Sequence, residues 1–290
     1  VATRALGAVL VVVVALAPLV IGGPAFALLM AGLGLASWRE YLHIARNLTP
    51  APGVSRYGAT TIALLAVAGL LGWPLPVVVA VGFVGLLAPL VRQFRRSGEP
   101  DLLTYWGLGA AGSLYIGLPV LAATNLRQIE GTTAPWLARL ADLTALGWTP
   151  AAYGLAWTFT VVLCTWLADT GAYLVGRQLG RRRMSRRISP NKTVEGAIGG
   201  LVAAVAAGSL CWTAFELRGG WQLGAAIGLA LGVVGQVGDF AESFIKRQAG
   251  VKDSGSLIPG HGGVFDRVDA LFVAFPVAWL LAAVIHATTR

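Results

Sequence analysis

Asp239 and Glu242 stand three residues apart and are followed at once by Ser243, Lys246 and Arg247. Positions i, i+3 and i+4 share one face of a helix, so Asp239, Glu242 and Ser243 point the same way. Asp266 and Asp269 repeat the i, i+3 spacing, and Lys252, Asp253, His261 and Arg267 lie on the stretch that leads up to them. Carboxylates at two helix ends, without a cluster of histidine or cysteine, suit a hard cation such as Mg2+. That ion binds through a few carboxylates and the phosphates of its substrate. The alternative is an inert network in which the acids pair with Lys246, Arg247 and Arg267. Five acids around one loop favour function, since clustered, perturbed charge gathers at working sites.

The bases between these acids suit phosphate, arginine as a planar fork and lysine as a compact charge. Lys246 and Lys252 interleave with acids, which simple membrane topology does not call for. The arginine run 181–187 is what topology or anionic lipid would ask for. Gly260-His261-Gly262-Gly263 after Pro259 cannot be helix. Its glycines would let backbone N–H groups approach phosphate oxygens, as they would also serve a plain re-entry turn. His261 is a candidate proton carrier or phosphate donor. No P-loop pattern is present. In 188–196, Ser189 reads as a helix N-cap, Pro190 as the first helical residue and Lys192 as a first-turn base, an arrangement that receives anions. Asp169 lies near the end of an apolar segment, where an acid is costly and functional by default.

Apolar segments must position these groups. The chain of 290 residues is 56% hydrophobic and 12% charged, with mean hydropathy +0.72. Soluble domains carry about 25% charge, and several apolar blocks here exceed the roughly 18–20 residues that span a bilayer. The expected class is all-α: a polytopic membrane protein with about nine transmembrane helices. The spans are expected near 5–21, 23–37, 58–72, 75–92, 102–124, 150–175, 194–215, 221–240 and 268–287, with 38–56, 125–148 and 177–193 as connecting segments. The first block is read as a retained helix rather than a removed signal. With these spans, 18 of the 22 basic residues fall on one side, which the positive-inside rule makes cytoplasmic. The loops 177–193 and 243–267 are then cytoplasmic. Net charge +9 follows from that topology, and no nucleic-acid partner is expected. Cys164 and Cys211 fall inside apolar blocks and read as buried thiols. The expected division is 1–150, helices that form a lipid-facing and dimer scaffold, and 151–290, the catalytic region.

The string Ser243-x-Ile245-Lys246-Arg247, then Lys252-Asp253-x-Gly255, then Pro259-x-His261-Gly262-Gly263-Val264-x-Asp266-Arg267-Val268-Asp269 resembles the signature of the phosphatidate cytidylyltransferase (CDP-diacylglycerol synthase) family. Asp169-Thr170-Gly171-Ala172-Tyr173, Gly176-Arg177 and Ile188 to Gly196 are similar to that family's second block. The resemblance implies transfer of CMP from CTP to phosphatidate, giving CDP-diacylglycerol and pyrophosphate. It also implies a homodimer and a divalent metal on the acids matching Asp239 and Asp266. Glu242 joins them as a metal candidate. Catalytic candidates are Asp239, Asp266, Lys246, Lys252 and Asp269. Candidates for substrate binding are Ser189, Lys192, Ser243, Arg247, Asp253, His261, Gly262, Gly263, Arg267 and Asp169. The expected setting is a bacterial inner membrane. A kinase or transferase using CTP on another lipid phosphate is the nearest rival, and a cation or organophosphate transporter a more distant one.

Overall fold

The computed structural model describes residues 16–48, 55–94, 102–146, 148, 151–255, 257 and 262–288. Its elements are α1 (Gly23–Ala45), α2 (Ser55–Leu70), α3 (Leu75–Gln93), α4 (Leu102–Arg127), α5 (Pro135–Thr144), α6 (Ala152–Leu179), β1 (Arg183–Ser185), β2 (Ser189–Thr193), α7 (Val194–Ala214), α8 (Gly220–Gln248) and α9 (Phe265–Thr288). Among the described residues, five helices are long and apolar enough to cross a membrane: Leu102–Arg127, Ala152–Leu179, Val194–Ala214, Gly220–Gln248 and Phe265–Ala287. Arg56–Leu70 and Leu75–Val91 are shorter apolar helices. An all-α integral membrane protein is the class these helices define.

The chain divides into two compact units. The first is built chiefly from Pro24–Asn125 together with Ile245–Val268. Its core includes the buried cluster Leu65, Ala68 and Leu121, with Trp73, Val78 and Val81 packed on it. Helix α1 is drawn into this unit by aromatic packing: Trp38 and Tyr41 are buried and stacked, and Tyr41 Oη donates to the Leu108 carbonyl at 2.9 Å.

The second unit comprises Leu126–Phe244 and Asp269–Arg290, with the short piece Leu19–Gly23. Arg127 is buried at its edge, where the guanidinium donates to the carbonyls of Leu19, Val20 and Ala151 at 2.8–2.9 Å. A buried cation is tolerable only when its donors are satisfied, and this fork meets three backbone carbonyls. Trp157 and Trp212 pack edge to face at 4.9 Å. Small residues on α7 and α8 (Ala204, Gly208, Gly224, Gly228) bring the two backbones into contact, the usual means of packing helices where lipid supplies no hydrophobic drive. Cys164 and Cys211 are free and buried.

Several sequence expectations need correction. Residues 16–21 are helical and break at Gly22, but most of the first expected span lies outside the described residues. The helix expected to end near 37 runs on to Ala45, through a segment expected to be polar connection. Burial of Trp38, Glu40 and Tyr41 holds those roughly two extra turns. The segment 125–148 contains α5, whose apolar side buries Leu137 and Ala141. Helix α8 continues to Gln248, beyond the expected end near 240. Ser189 is not a helix N-cap and Lys192 is not in a first turn. Residues 189–193 pair antiparallel with 183–185, and the helix begins only at Val194. Thr193 is the cap, its Oγ1 accepting from the Gly196 N–H at 3.1 Å. The pairing Arg183↔Thr193 removes 189–193 from helix in spite of Pro190.

Candidate active site

In the second unit, α8 carries Asp239 and Glu242 and α9 carries Asp269. One oxygen from each lies within 4.8 Å of the others. The approach depends on Gly238, because a Cβ there would lie 2.6 Å from the Asp269 carbonyl oxygen. Glu242 is buried, whereas Asp239 and Asp269 are part-exposed. Asp269 Oδ1 accepts the Ala270 N–H at 2.7 Å. Three carboxylates at this spacing repel one another unless protons or a cation intervene. The donor set is all oxygen, drawn from two rigid helices, and fits a hard divalent cation. Asp266, expected among the metal ligands, is not one of these three carboxylates, and Asp269 is.

The β1–β2 hairpin supplies the positive partner. Val194 N–H closes it on the Arg182 carbonyl at 2.8 Å, and Glu195 accepts the N–H groups of Arg181 and Arg182 at 3.0 and 3.1 Å. The strand so held delivers Lys192 Nζ to Asp239 Oδ2 as an ion pair, 4.5 Å from the Phe240 ring centroid. A cavity of about 540 Å³ opens here. Its lining includes Asp169, Arg177, Ser189, Asn191, Lys192 and Asp239. The hairpin therefore brings Ser189 and Lys192 into one cavity with Asp169 and Asp239, from a strand rather than from a helix start. Gln236 is a lining residue that the sequence reading missed, and its amide donates to the Ala197 carbonyl at 3.0 Å.

In the first unit, Glu40 of α1 is 4% exposed and gathers three donors. They are Ser254 Oγ at 3.0 Å, Val264 N–H at 3.1 Å and Phe265 N–H at 2.8 Å. The last two are orphan donors at the start of α9, so Glu40 caps that helix from a distant element. Asp266 completes the turn. It accepts Gly263 N–H at 3.1 Å, Ser254 N–H at 3.0 Å and Lys246 Nζ at 2.6 Å. The carboxylate of Asp266 thus ties the end of α8, the connecting loop and the start of α9 together. A Cβ on Gly255 would lie 2.6 Å from Glu40 Oε1, and one on Gly263 would meet Ser254 Oγ and Glu40 Oε2. Gly262 has φ +84°, a left-handed turn that favours glycine.

Of the remaining candidates, Ser243 is part-buried and Arg247 is exposed, with Nη1 donating to the Val251 carbonyl at 3.1 Å. Lys252, Asp253 and Arg267 are exposed. His261 lies outside the described residues. Sequence reasoning missed Glu40, because it falls in 38–56, a segment read as polar connection where an acid gives no signal.

The profile of the cytidylyltransferase family matches residues 2–285. Phosphatidate cytidylyltransferase of Brucella suis is 36% identical over 272 residues, covering 91% of this chain and 86% of that protein. The protein of the same name from Synechocystis is 33% identical over 291 residues, covering 95% and 94%. That of Bacillus subtilis reaches 43% identity, over 131 residues that cover 45% and 49%. The chain belongs to the cytidylyltransferase family, and the resemblance carried by Ser243–Asp269 is confirmed along nearly its whole length.

Proposed function

We propose that this protein transfers CMP from CTP to phosphatidate, releasing pyrophosphate and forming CDP-diacylglycerol. The observation that carries the reading is the wall made by Asp239, Glu242, Asp269 and Lys192 beside a cavity of nucleotide size, in a membrane-spanning member of this family. Relatives named phosphatidate cytidylyltransferase that align along nine-tenths of the chain supply the choice of lipid.

A phosphate oxygen of phosphatidate attacks the α-phosphorus of CTP; the bond from that phosphorus to the bridging oxygen breaks, and its electrons leave with pyrophosphate. The nucleophile is already an anion, so no strong general base is required. What remains is positioning and charge. Mg2+, when bound by Asp239, Glu242 and Asp269, would supply neutralisation of the phosphates. Lys192 offers its ammonium to the triphosphate on exchanging Asp239 for substrate, and Ser189, Asn191 and Asp169 orient what enters the cavity. Lys246 and Asp266 hold the loop, while Lys252, Arg247 and Arg267 add exposed positive charge for phosphate. Asp253, Ser243, His261, Gly262 and Gly263 remain assigned to substrate contact or to loop shape.

We further propose nine spans with the two charged loops facing the cytoplasm, in a bacterial inner membrane, and a homodimer. The asymmetry of basic residues supports the orientation. The test is pyrophosphate release by purified protein with CTP, Mg2+ and phosphatidate. A requirement for all three fits the reading, whereas a requirement for a different lipid phosphate moves the substrate and sinks it.

A further inference from the structure

Helix α1 and the turn that follows it present a second cluster, to which the site above assigns no role. Arg39, His43 and Arg46 are exposed and follow one another at i, i+4 and i+7, on one face over about 10 Å. All three line a cavity of about 820 Å³ in the first unit, with Trp38 and the exposed side chains of Leu35 and Leu257. The cavity also meets Glu40 and Ser254, but Glu40 already accepts three hydrogen bonds. Among the described residues, the side chains of Arg39, His43 and Arg46 make no hydrogen bond or ion pair.

The same face continues toward the start of α1 through Leu35, Gly32 and Leu28. Leu28 is 73% exposed, and a Cβ at Gly32 would meet nothing within 4 Å. An open apolar strip therefore runs into a basic cavity. A soluble anion has no use for the strip, and an acyl chain has none for the arginines. A lipid phosphate uses both. Two arginine forks and a histidine match a phosphate monoester, whose charge is about −1.5 to −2 at neutral pH, better than a diester.

We propose that this cavity is a binding site for the headgroup of phosphatidate, with an acyl chain lying along Leu35 and Leu28. The choice of this lipid rests on the function proposed above; the existence of a lipid-phosphate site does not. Basic residues placed only for topology would be indifferent to lipid phosphate, so binding separates the two.

The test uses the full chain in detergent, without CTP or metal, and measures binding of radiolabelled dioctanoyl phosphatidate. The Arg39→Gln/Arg46→Gln double variant weakens binding at least about tenfold, and Arg39→Lys/Arg46→Lys weakens it less, because charge is kept while the fork is lost. Excess phosphatidylcholine, inorganic phosphate or CTP fails to displace the lipid. Should the double variant not fold, His43→Gln carries the same test with a smaller loss. Equal binding by wild type and a folded variant overturns the proposal, as does displacement by inorganic phosphate or CTP at concentrations matching the lipid. Binding that depends on Arg39 and Arg46 in a protein that releases no pyrophosphate would sink the proposed reaction and leave this site standing. Normal turnover with arginine-independent binding would do the reverse.

Discussion

Lys192 and Asp239 form an ion pair between a two-stranded hairpin and the middle of a membrane helix. Each side chain is a little under a third exposed, at 29% and 28%, so the pair faces the cavity rather than the core. An exposed pair of this kind adds little stability, typically under about 1 kcal/mol. Its cost in positioning a hairpin is therefore better explained by chemistry than by folding. Asp239→Asn and Lys192→Gln should each lower kcat/KM by about 100-fold or more, as expected when charge at a phosphoryl centre is lost. Melting temperature should stay within a few degrees of wild type in both. A variant that melts early and keeps its specific activity would contradict the assignment.

Asp266 and Asp269 sit on one helix but have different neighbours. Asp269→Asn removes one oxygen ligand of the proposed Mg2+ site, so the Mg2+ concentration for half-maximal activity should rise about tenfold or more. Asp266→Asn breaks the pair with Lys246 and loosens the hydrogen bonds from Ser254 N–H and Gly263 N–H, and should cost roughly 3 kcal/mol of stability. A titration of activity against Mg2+, run beside thermal unfolding, distinguishes them. The reverse pattern, with the Mg2+ requirement following Asp266, would restore Asp266 as the ligand.

Glu40 caps the start of α9 from another helix. Glu40→Ala leaves the N–H groups of Val264 and Phe265 and the hydroxyl of Ser254 without that acceptor, at a cost of about 2–3 kcal/mol. Hydrogen exchange at Val264 and Phe265 should speed up in the variant before the rest of the chain is affected. Unchanged protection at those two amides would remove Glu40 from this role.

Gly263→Ala tests the same clamp from the loop. The added methyl would occupy the space of Ser254 Oγ and Glu40 Oε2, and overpacking of this sort costs about 1–3 kcal/mol. Gly32→Ala, on the open face of α1, should be neutral within roughly 0.5 kcal/mol or slightly stabilising. Thermal unfolding of the two variants compares a filled site with an empty one.

Much of the helical framework could be read from hydropathy, because a membrane span is a long local signal. The i, i+3 spacing of Asp239 and Glu242 was equally local, as was the motif that pointed to the family. What sequence left open was tertiary. Asp266 and Asp269 have the same type and spacing, and only the approach of α8 at Gly238 decides which one meets Asp239. Glu40 stands 214 residues from Ser254, so no pattern joined them. Ser189-Pro190 looks like a helix start until residues 183–185 pair with it. Helix α5 was hidden because a short amphipathic helix of ten residues resembles a connecting loop.

The central claim is the reaction. Pyrophosphate release should be measured with the purified chain in detergent, supplied with CTP, Mg2+ and phosphatidate and with each omitted in turn. The account predicts release only when all three are present, with CDP-diacylglycerol formed in equal amount. Folded protein that releases no pyrophosphate from CTP and phosphatidate in the presence of Mg2+ would contradict it.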